Sequence, residues 1–239
     1  MTKITQSFIF AAGRGERMRP ITDSIPKPLV KIKNKSIIDY IIEKLDKTPQ
    51  IEKIVINGFY LAQQIEDHIK NLANRKIIFS REDSKIETGG GLLFALKNHK
   101  FDQNQPILLI NGDILWQESQ ENDEITDFCQ KYQKNDCDIL LGLKKTGEVL
   151  GYEGEGDFNL DEKTGKILAS ENKSRDYVFV GLQIINPEIL KFAPENFFSM
   201  NYFYKNADAL GIKIKGVELK SKFFHISDVK GLKAIEEVL

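Results

Sequence analysis

The sequence predicts an α/β fold in which a Rossmann-like mixed, mainly parallel sheet is flanked by helices. Short apolar segments that suit buried strands alternate with longer segments whose apolar residues recur at helical spacing. This alternation is typical of a parallel sheet covered on both faces. The chain has 239 residues, of which 41% are apolar and 29% are charged, and this suits one sizeable globular domain. We therefore predict a single domain over residues 1–239.

Seven strands and five helices are predicted in chain order. The strands are short apolar runs, at residues 8–10, 51–58, 76–80, 106–112, 137–143, 177–185 and 212–219. The helices are at residues 36–47, 61–72, 87–99, 123–135 and from about Val229. Ser36 is a suitable N-cap for the first helix, whose apolar residues recur three and four positions apart. Ligands of open α/β sheets lie at the carboxyl ends of the strands, where the segments 13–27 and 111–113 begin.

The regular alternation ends near residue 143, and the second half of the chain has a different character. Residues 147–175 are rich in Gly, Asp, Glu and Lys, and residues 156–170 alternate in polarity around a turn at 163–165. This pattern predicts a β-hairpin. We therefore divide the predicted domain into a first half, about 1–143, and a second half, about 144–239, with a small β-rich subregion.

The overall charge and the cysteines exclude several classes of protein. The formal net charge is −1 and no basic cluster is present, which argues against nucleic acid or a membrane surface as a partner. Cys129 and Cys137 have neither metal-ligand spacing nor the count of a disulfide framework. No apolar run reaches the roughly 18 residues that a membrane helix needs. We expect a soluble, cytoplasmic protein that is a monomer or a small homo-oligomer.

The loop after the first strand has the composition of a phosphate-binding site. Two small residues and two glycines, Ala11, Ala12, Gly13 and Gly15, let backbone N–H groups approach an anion, and arginines follow. A solvated loop is the plain alternative. A dinucleotide fingerprint does not fit, because Met18 stands where the third glycine would be, and the spacing of a Walker loop is absent.

Two further stretches contain side chains or glycines that suit a ligand site. Asp113 closes an apolar strand, and a carboxylate at that place suits Mg²⁺, although a turn or a helix cap would also explain it. Gly89 and Gly90 begin a predicted helix in which each glycine costs about 1 kcal/mol relative to alanine. A flat nucleobase lying against this bare backbone would offset the cost, and Asn57 is a candidate for the same pocket.

The motifs resemble those of the sugar-phosphate nucleotidyltransferases. The family signature Ala-Ala-Gly-x-Gly-x-Arg-Met-x-Pro-x-Thr followed by Pro-Lys-Pro is matched by residues 11–22 and 26–28, and Glu-Thr-Gly-Gly-Gly is present at 87–91. The resemblance implies an enzyme that joins a nucleoside triphosphate to a sugar 1-phosphate and releases pyrophosphate. It also implies that the first half of the chain binds the nucleotide and the second half the sugar phosphate.

The resemblance assigns roles to individual residues. Arg17, Lys27 and Asp113 are the implied catalytic residues, with Asp113 as a ligand of Mg²⁺. The second metal ligand is implied near the C-terminus, where this chain departs from the family pattern: we favour Asp228, with His225 as the alternative. The implied nucleotide-binding residues are Ala11, Ala12, Gly13, Gly15, Arg17, Lys27, Asn57, Gly89 and Gly90. The implied sugar-phosphate-binding residues are Asn111, Gly156, Glu171 and Gly181.

The substrates are less closely defined than the reaction. The chain is most similar to short bacterial forms that resemble N-acetylmuramate-1-phosphate uridylyltransferases, which favours UTP and N-acetylmuramate 1-phosphate. Mannose-1-phosphate guanylyltransferase is the alternative enzyme. A non-catalytic sensor of sugar nucleotides is the alternative of another class, because the altered C-terminal motif could mark lost metal binding.

Overall fold

The structure, a computed structural model, describes residues 3–118, 123–168 and 175–238. The strands are β1 Gln6–Phe10, β2 Lys31–Ile32, β3 Lys35–Ser36, β4 Lys53–Gly58, β5 Ile77–Arg81, β6 Ile107–Asn111, β7 Ile114–Gln117, β8 Ile139–Lys145, β9 Val149–Leu150, β10 Asn159–Leu160, β11 Ile167–Leu168, β12 Tyr177–Ile185, β13 Ile214–Glu218 and β14 Lys222–His225. The α-helices are α1 Ile37–Lys47, α2 Ala62–Leu72, α3 Glu87–Lys97, α4 Glu124–Lys134, α5 Asn201–Leu210 and α6 Val229–Val238. Short 3₁₀ turns lie at Glu16–Met18, Ile21–Asp23, Lys27–Leu29 and Pro187–Phe192.

The central sheet has seven strands in the order β13-β8-β12-β6-β1-β4-β5. Its neighbours pair in parallel except for β12, which runs antiparallel to both β6 and β8. The predicted mixed, mainly parallel sheet is therefore confirmed. Strands from both halves of the chain contribute to it, so the two halves share one sheet.

Helices cover both faces of this sheet, and each face has its own hydrophobic core. Successive strand residues alternate between the two cores, as Phe8 and Ile9 in β1 show. One core packs the sheet against α1, α2, α4 and α6, and the other packs it against α3 and α5. Because both faces are covered, the strands read as nearly continuous apolar runs.

The chain changes direction at β1, and this creates a crevice. From β1 the chain moves through α1 and α2 to β4 and β5 on one side, then crosses the other face through α3 to β6, on the opposite side of β1. The loops that follow β1 and β6 therefore diverge at the carboxyl ends of the strands, and a crevice lies between them. This is the topological switch point at which open α/β sheets bind ligands.

The predicted elements of the first half are confirmed to within a few residues, and the hairpin is confirmed as β10 paired with β11. The N-cap is also confirmed, since the Ser36 hydroxyl accepts a hydrogen bond of 3.3 Å from the Asp39 backbone N–H. Strands β7 and β14, which the sequence pattern does not predict, pair with each other, while β9 pairs with β14. This small second sheet brings the segment 222–225 alongside residues 114–117. No helix in the described ranges combines the length and apolar character needed to cross a bilayer.

Candidate active site

A cavity of about 590 Å³ opens at the carboxyl ends of the strands, over the crevice between β1 and β6. The residues that follow four neighbouring strands line it, and so does the start of α3. Its side walls contain several charged groups, namely Arg14, Glu16, Arg17, Lys27, Glu82, Lys85, Glu87 and Asp113. The predicted location of the site is therefore a cavity with charged walls, as a phosphorylated ligand needs.

The loop after β1 presents its backbone to this cavity. No described residue accepts a hydrogen bond from the backbone N–H groups of residues 12 to 17, so these donors are available to an anion. Gly15 has a left-handed backbone with φ of 66°, and a Cβ there would meet Lys27 Cβ at 2.9 Å. The Thr22 hydroxyl donates a 2.8 Å hydrogen bond to the Gly15 carbonyl. Glycine at this position thus lets Lys27 pack directly against the loop.

Lys27 and Asp113 form the central ion pair of the cavity. Lys27 Nζ lies 2.7 Å from Asp113 Oδ2, and only 11% of the Lys27 side chain is exposed. Burial raises the pKa of Asp113, but the ammonium of Lys27 and the neighbouring imidazole of His225 outweigh it and hold that pKa well below its usual range. Asp113 is therefore a stable carboxylate that shares its site with a fixed cation.

The structure places His225 beside Asp113. His225 Nε2 lies 3.8 Å from Asp113 Oδ2, because the pairing of β14 with β7 sets His225 opposite Ile114. Asp228 instead caps α6, where its Oδ1 accepts a 2.8 Å hydrogen bond from the Gly231 N–H. The described residues contain no group of three His, Cys, Asp or Glu side chains that could hold a metal. Whether Asp228 or His225 would complete a metal site on Asp113 stays a prediction.

The donors that are present can hold Mg²⁺ only together with a substrate. Mg²⁺ is usually bound by one or two carboxylates plus phosphate oxygens and water, and Asp113 supplies one carboxylate at the cavity wall. Imidazole is a poor ligand for Mg²⁺ and a better one for softer divalent cations. Asp113 thus fits the role of an anchor whose remaining ligands come from phosphate groups.

A row of hydrogen bonds joins the ends of three strands beneath the loop. Asn57, at the end of β4, accepts a 2.6 Å hydrogen bond through Oδ1 from the Ala11 N–H. Asn57 Nδ2 donates a 2.7 Å hydrogen bond to Glu82 Oε1, which follows β5. Burial raises the pKa of Glu82 to about 7, and the Asn57 hydrogen bond lowers it in part. Glu82 is not among the predicted site residues, because an acidic residue between a strand and a helix carries no signal of burial.

The glycines at the start of α3 have packing partners. A Cβ on Gly89 would overlap the Phe198 ring, and one on Gly90 would overlap the Asn196 carbonyl oxygen. The N–H of Gly90 also donates a 3.0 Å hydrogen bond to the Phe198 carbonyl. Glycine is therefore needed at these two positions because the segment 196–198 approaches closely. The sequence pattern alone does not reveal this contact. Their contact with a nucleobase stays a prediction, and Glu87 and Thr88 are the residues of this turn that line the cavity.

Two of the four predicted sugar-phosphate residues come together. Gly181 lies in β12 where its pairing with β8 shifts register, with φ of 80°, and a Cβ there would meet Asn111 Nδ2 at 2.9 Å. Asn111 lines the cavity. Gly156, with φ of 88°, instead lets the Arg175 carbonyl approach closely. Glu171 lies outside the described residues. The roles of Gly156 and Glu171 stay predictions.

Comparison with known proteins agrees with this arrangement. A family model described as nucleotidyl transferase matches residues 6–209. An N-acetylmuramate alpha-1-phosphate uridylyltransferase from Caulobacter vibrioides is 30% identical over 235 residues, which cover 96% of this chain and 95% of that protein. A protein of the same name from Neisseria meningitidis serogroup B is 41% identical over 113 residues, 46% of this chain and 47% of that one.

A solved structure shows the same fold. The complex of a UDP-glucose pyrophosphorylase with UDP-glucose has a TM-score of 0.77 and 19% identity, and the match covers 98% of each chain. The family match spans most of the chain, including the loop after β1, the Lys27–Asp113 pair and the cavity between β1 and β6. On this evidence the chain belongs to the nucleotidyl transferase family.

Proposed function

We propose that this protein transfers a uridylyl group from UTP to N-acetylmuramate 1-phosphate and releases pyrophosphate. The observation that carries the transfer reaction is the cavity at the strand ends, in which free loop N–H groups, Arg17 and the Lys27–Asp113 pair face one volume. Such a set of fixed donors and cations suits a triphosphate and a pyrophosphate leaving group.

The chemistry needs positioning and charge neutralisation more than proton transfer. An oxygen of the sugar 1-phosphate attacks the α-phosphorus of the nucleotide, and the bond from that phosphorus to the oxygen bridging to the β-phosphate breaks. The attacking oxygen is already anionic at neutral pH, because the second pKa of a phosphate monoester is about 6. No general base is needed, and the electron pair of the broken bond leaves with pyrophosphate.

Cationic side chains from the loop stabilise the charge that develops. Lys27 is held by Asp113 at 2.7 Å, so its ammonium is fixed before the substrate binds. Arg17 lines the same cavity and offers a planar fork of donors to phosphate oxygens. A divalent cation bound at Asp113 would neutralise further charge on the phosphates. Preorganised cations of this kind require no rearrangement at the moment of reaction.

The choice of substrates is supported by two relatives of the same name, of which one matches over nearly its whole length. The Caulobacter protein, which its name describes as a uridylyltransferase of N-acetylmuramate alpha-1-phosphate, matches nearly the whole of both chains. Since the identity is 30%, contacts to the base and the sugar can differ while the fold and phosphate chemistry are kept. The choice of UTP and of the amino sugar is accordingly the part of the proposal that the experiment must test.

The test is a grid of pyrophosphate-release assays with purified protein and Mg²⁺. UTP, GTP, CTP and dTTP are each combined with the 1-phosphates of N-acetylmuramate, N-acetylglucosamine, glucose and mannose. We expect release with UTP and N-acetylmuramate 1-phosphate. Release only with GTP and mannose 1-phosphate would instead identify a guanylyltransferase and refute the proposed substrates.

Two controls separate a transferase from a sensor. The Lys27→Ala variant removes the buried cation of the site, whereas Lys31→Ala removes an exposed cation on β2. Only the first should abolish pyrophosphate release. Absence of release across the whole grid, with UTP binding still measurable by calorimetry, would favour the sensor.

A further inference from the structure

A buried glutamate outside the family motif is linked to the phosphate-binding loop by hydrogen bonds. Glu82 follows β5 and is 5% exposed, and its N–H donates a 2.9 Å hydrogen bond to the Gly58 carbonyl at the end of β4. Through Oε1 it accepts from Asn57, which in turn accepts from the Ala11 N–H. The network therefore runs from the end of β5 across β4 to the first residue after β1.

Glu82 determines which end of the Asn57 amide faces the loop. Glu82 Oε1 accepts its hydrogen bond from the NH₂ group of the amide. The amide oxygen is then directed to the Ala11 N–H, which can only donate. Both Asn57 and Ala11 are 2% exposed, so water is a poor substitute for either partner. Without an acceptor at position 82, the Asn57 NH₂ group loses its partner, and only the Ala11 N–H is left in this network to orient the amide.

The third glycine of α3 makes space for this arrangement. A Cβ on Gly91 would overlap Glu82 Oε1 and would meet Asn57 Nδ2 at 2.9 Å. A side chain is therefore excluded at position 91 by Glu82 and Asn57, whereas at Gly89 and Gly90 it is excluded by the segment 196–198. The Glu82–Asn57 pair is packed against bare helix backbone on one side and reaches the cavity wall on the other.

We propose that Glu82 is a positioning residue of the phosphate-binding loop, which it holds through Asn57. The inference rests on the proposed function only in that the ligand of the loop is the triphosphate of a nucleotide. Glu82 contacts no phosphate itself. It fixes Ala11, so that the N–H groups of residues 12 to 17 converge on one anion.

The test compares binding of UTP and of inorganic tripolyphosphate, which has the phosphates and no base. Affinities are measured by calorimetry for the unchanged protein and for Glu82→Ala, Glu82→Gln and, as a matched control, Asp83→Asn on the adjacent exposed carboxylate. We expect Glu82→Ala to weaken both ligands by a similar factor of about 10, the equivalent of one lost hydrogen bond. Glu82→Gln keeps an acceptor oxygen and should recover most of this loss.

A double-variant cycle tests the route through Asn57. Asn57→Ala should weaken tripolyphosphate binding, and adding Glu82→Ala to it should weaken binding less than twofold more, because the intermediary is already gone. Additive losses would overturn the proposal. So would an unchanged affinity for tripolyphosphate in Glu82→Ala together with a weaker one for UTP, since Glu82 would then contact the base.

The binding test still distinguishes the outcomes if a single variant is unstable or if the enzyme catalyses another reaction. Circular dichroism and thermal unfolding check each variant. If Glu82→Ala does not fold, Glu82→Met, which keeps the volume without an acceptor, is measured in its place with the same expected loss. Tripolyphosphate binding requires no turnover, so failure of the substrate grid would refute the proposed function and leave this inference standing.

Discussion

The replacement of Glu82 by glutamine should make the protein more stable at high pH and leave its stability nearly unchanged at low pH. Burial raises the pKa of Glu82 from 4.5 to about 7 in the folded chain. Between these values the unfolded chain has released the proton while the folded chain retains it. Stability therefore falls as pH rises from about 4.5 to 7, and the loss is complete above that range.

The size of the effect follows from the two pKa values. At 1.36 kcal/mol for each tenfold change, the ionised Glu82 destabilises the folded chain by about 3 kcal/mol above pH 7. Glutamine lacks this titration and keeps an acceptor for the Asn57 amide. For a chain of this size, we expect Glu82→Gln to raise the melting temperature near pH 8 by roughly 6 to 12 °C.

The assay is thermal unfolding of both proteins at intervals between pH 4.5 and pH 8, without ligand. Other titrating groups are common to the two proteins, so the difference between them isolates Glu82. The Asp83→Asn variant is the matched control, since it removes the adjacent exposed carboxylate. A constant difference across the whole range, or a variant less stable at pH 8, would refute the reasoning.

Three further predictions concern the loop and the helix cap. Lys27→Ala should lower kcat by about 100-fold or more in the pyrophosphate assay with little change in the unfolding free energy, and an equal loss of folding would make Lys27 structural. Asp228→Ala should lower the unfolding free energy in urea by about 1 kcal/mol through loss of the α6 cap, and no change would contradict the capping role. Gly15→Ala should lower it by about 1 to 2 kcal/mol, because φ is 66° and Lys27 Cβ is close. Gly13→Ala, whose Cβ would meet nothing within 4 Å, is its control, and equal losses in both would refute the steric argument.

The sheet and the location of the cavity could be predicted from the sequence because both depend on local patterns. Apolar runs such as 106–112 are long enough to be recognised as buried strands, and the helices between them have a clear period. The position of ligands at strand ends then follows from the fold class alone. The loop at 13–27 was predictable because its glycines and cations are contiguous in the sequence.

The remaining features depend on contacts between segments that are distant in the sequence. Strand β14 is only four residues long, and its pairing with β7 depends on two segments more than 100 residues apart. That pairing is what sets His225 beside Asp113, whereas the preference of Mg²⁺ for carboxylate ligands favoured Asp228. The burial of Glu82 likewise results from Asn57 and Gly91, which no local pattern connects to it.

The start of α3 has a consequence for the order of folding. Three consecutive glycines lower the local helix propensity by about 3 kcal/mol relative to alanines, and an isolated helix of 11 residues is already marginal. The contacts that offset this deficit come from Phe198 and Met200, whose carbonyl and N–H bind Gly90 and Thr88. We therefore expect this turn, and the cavity wall that it supplies, to become ordered late in folding, after a loop of more than 100 residues has closed.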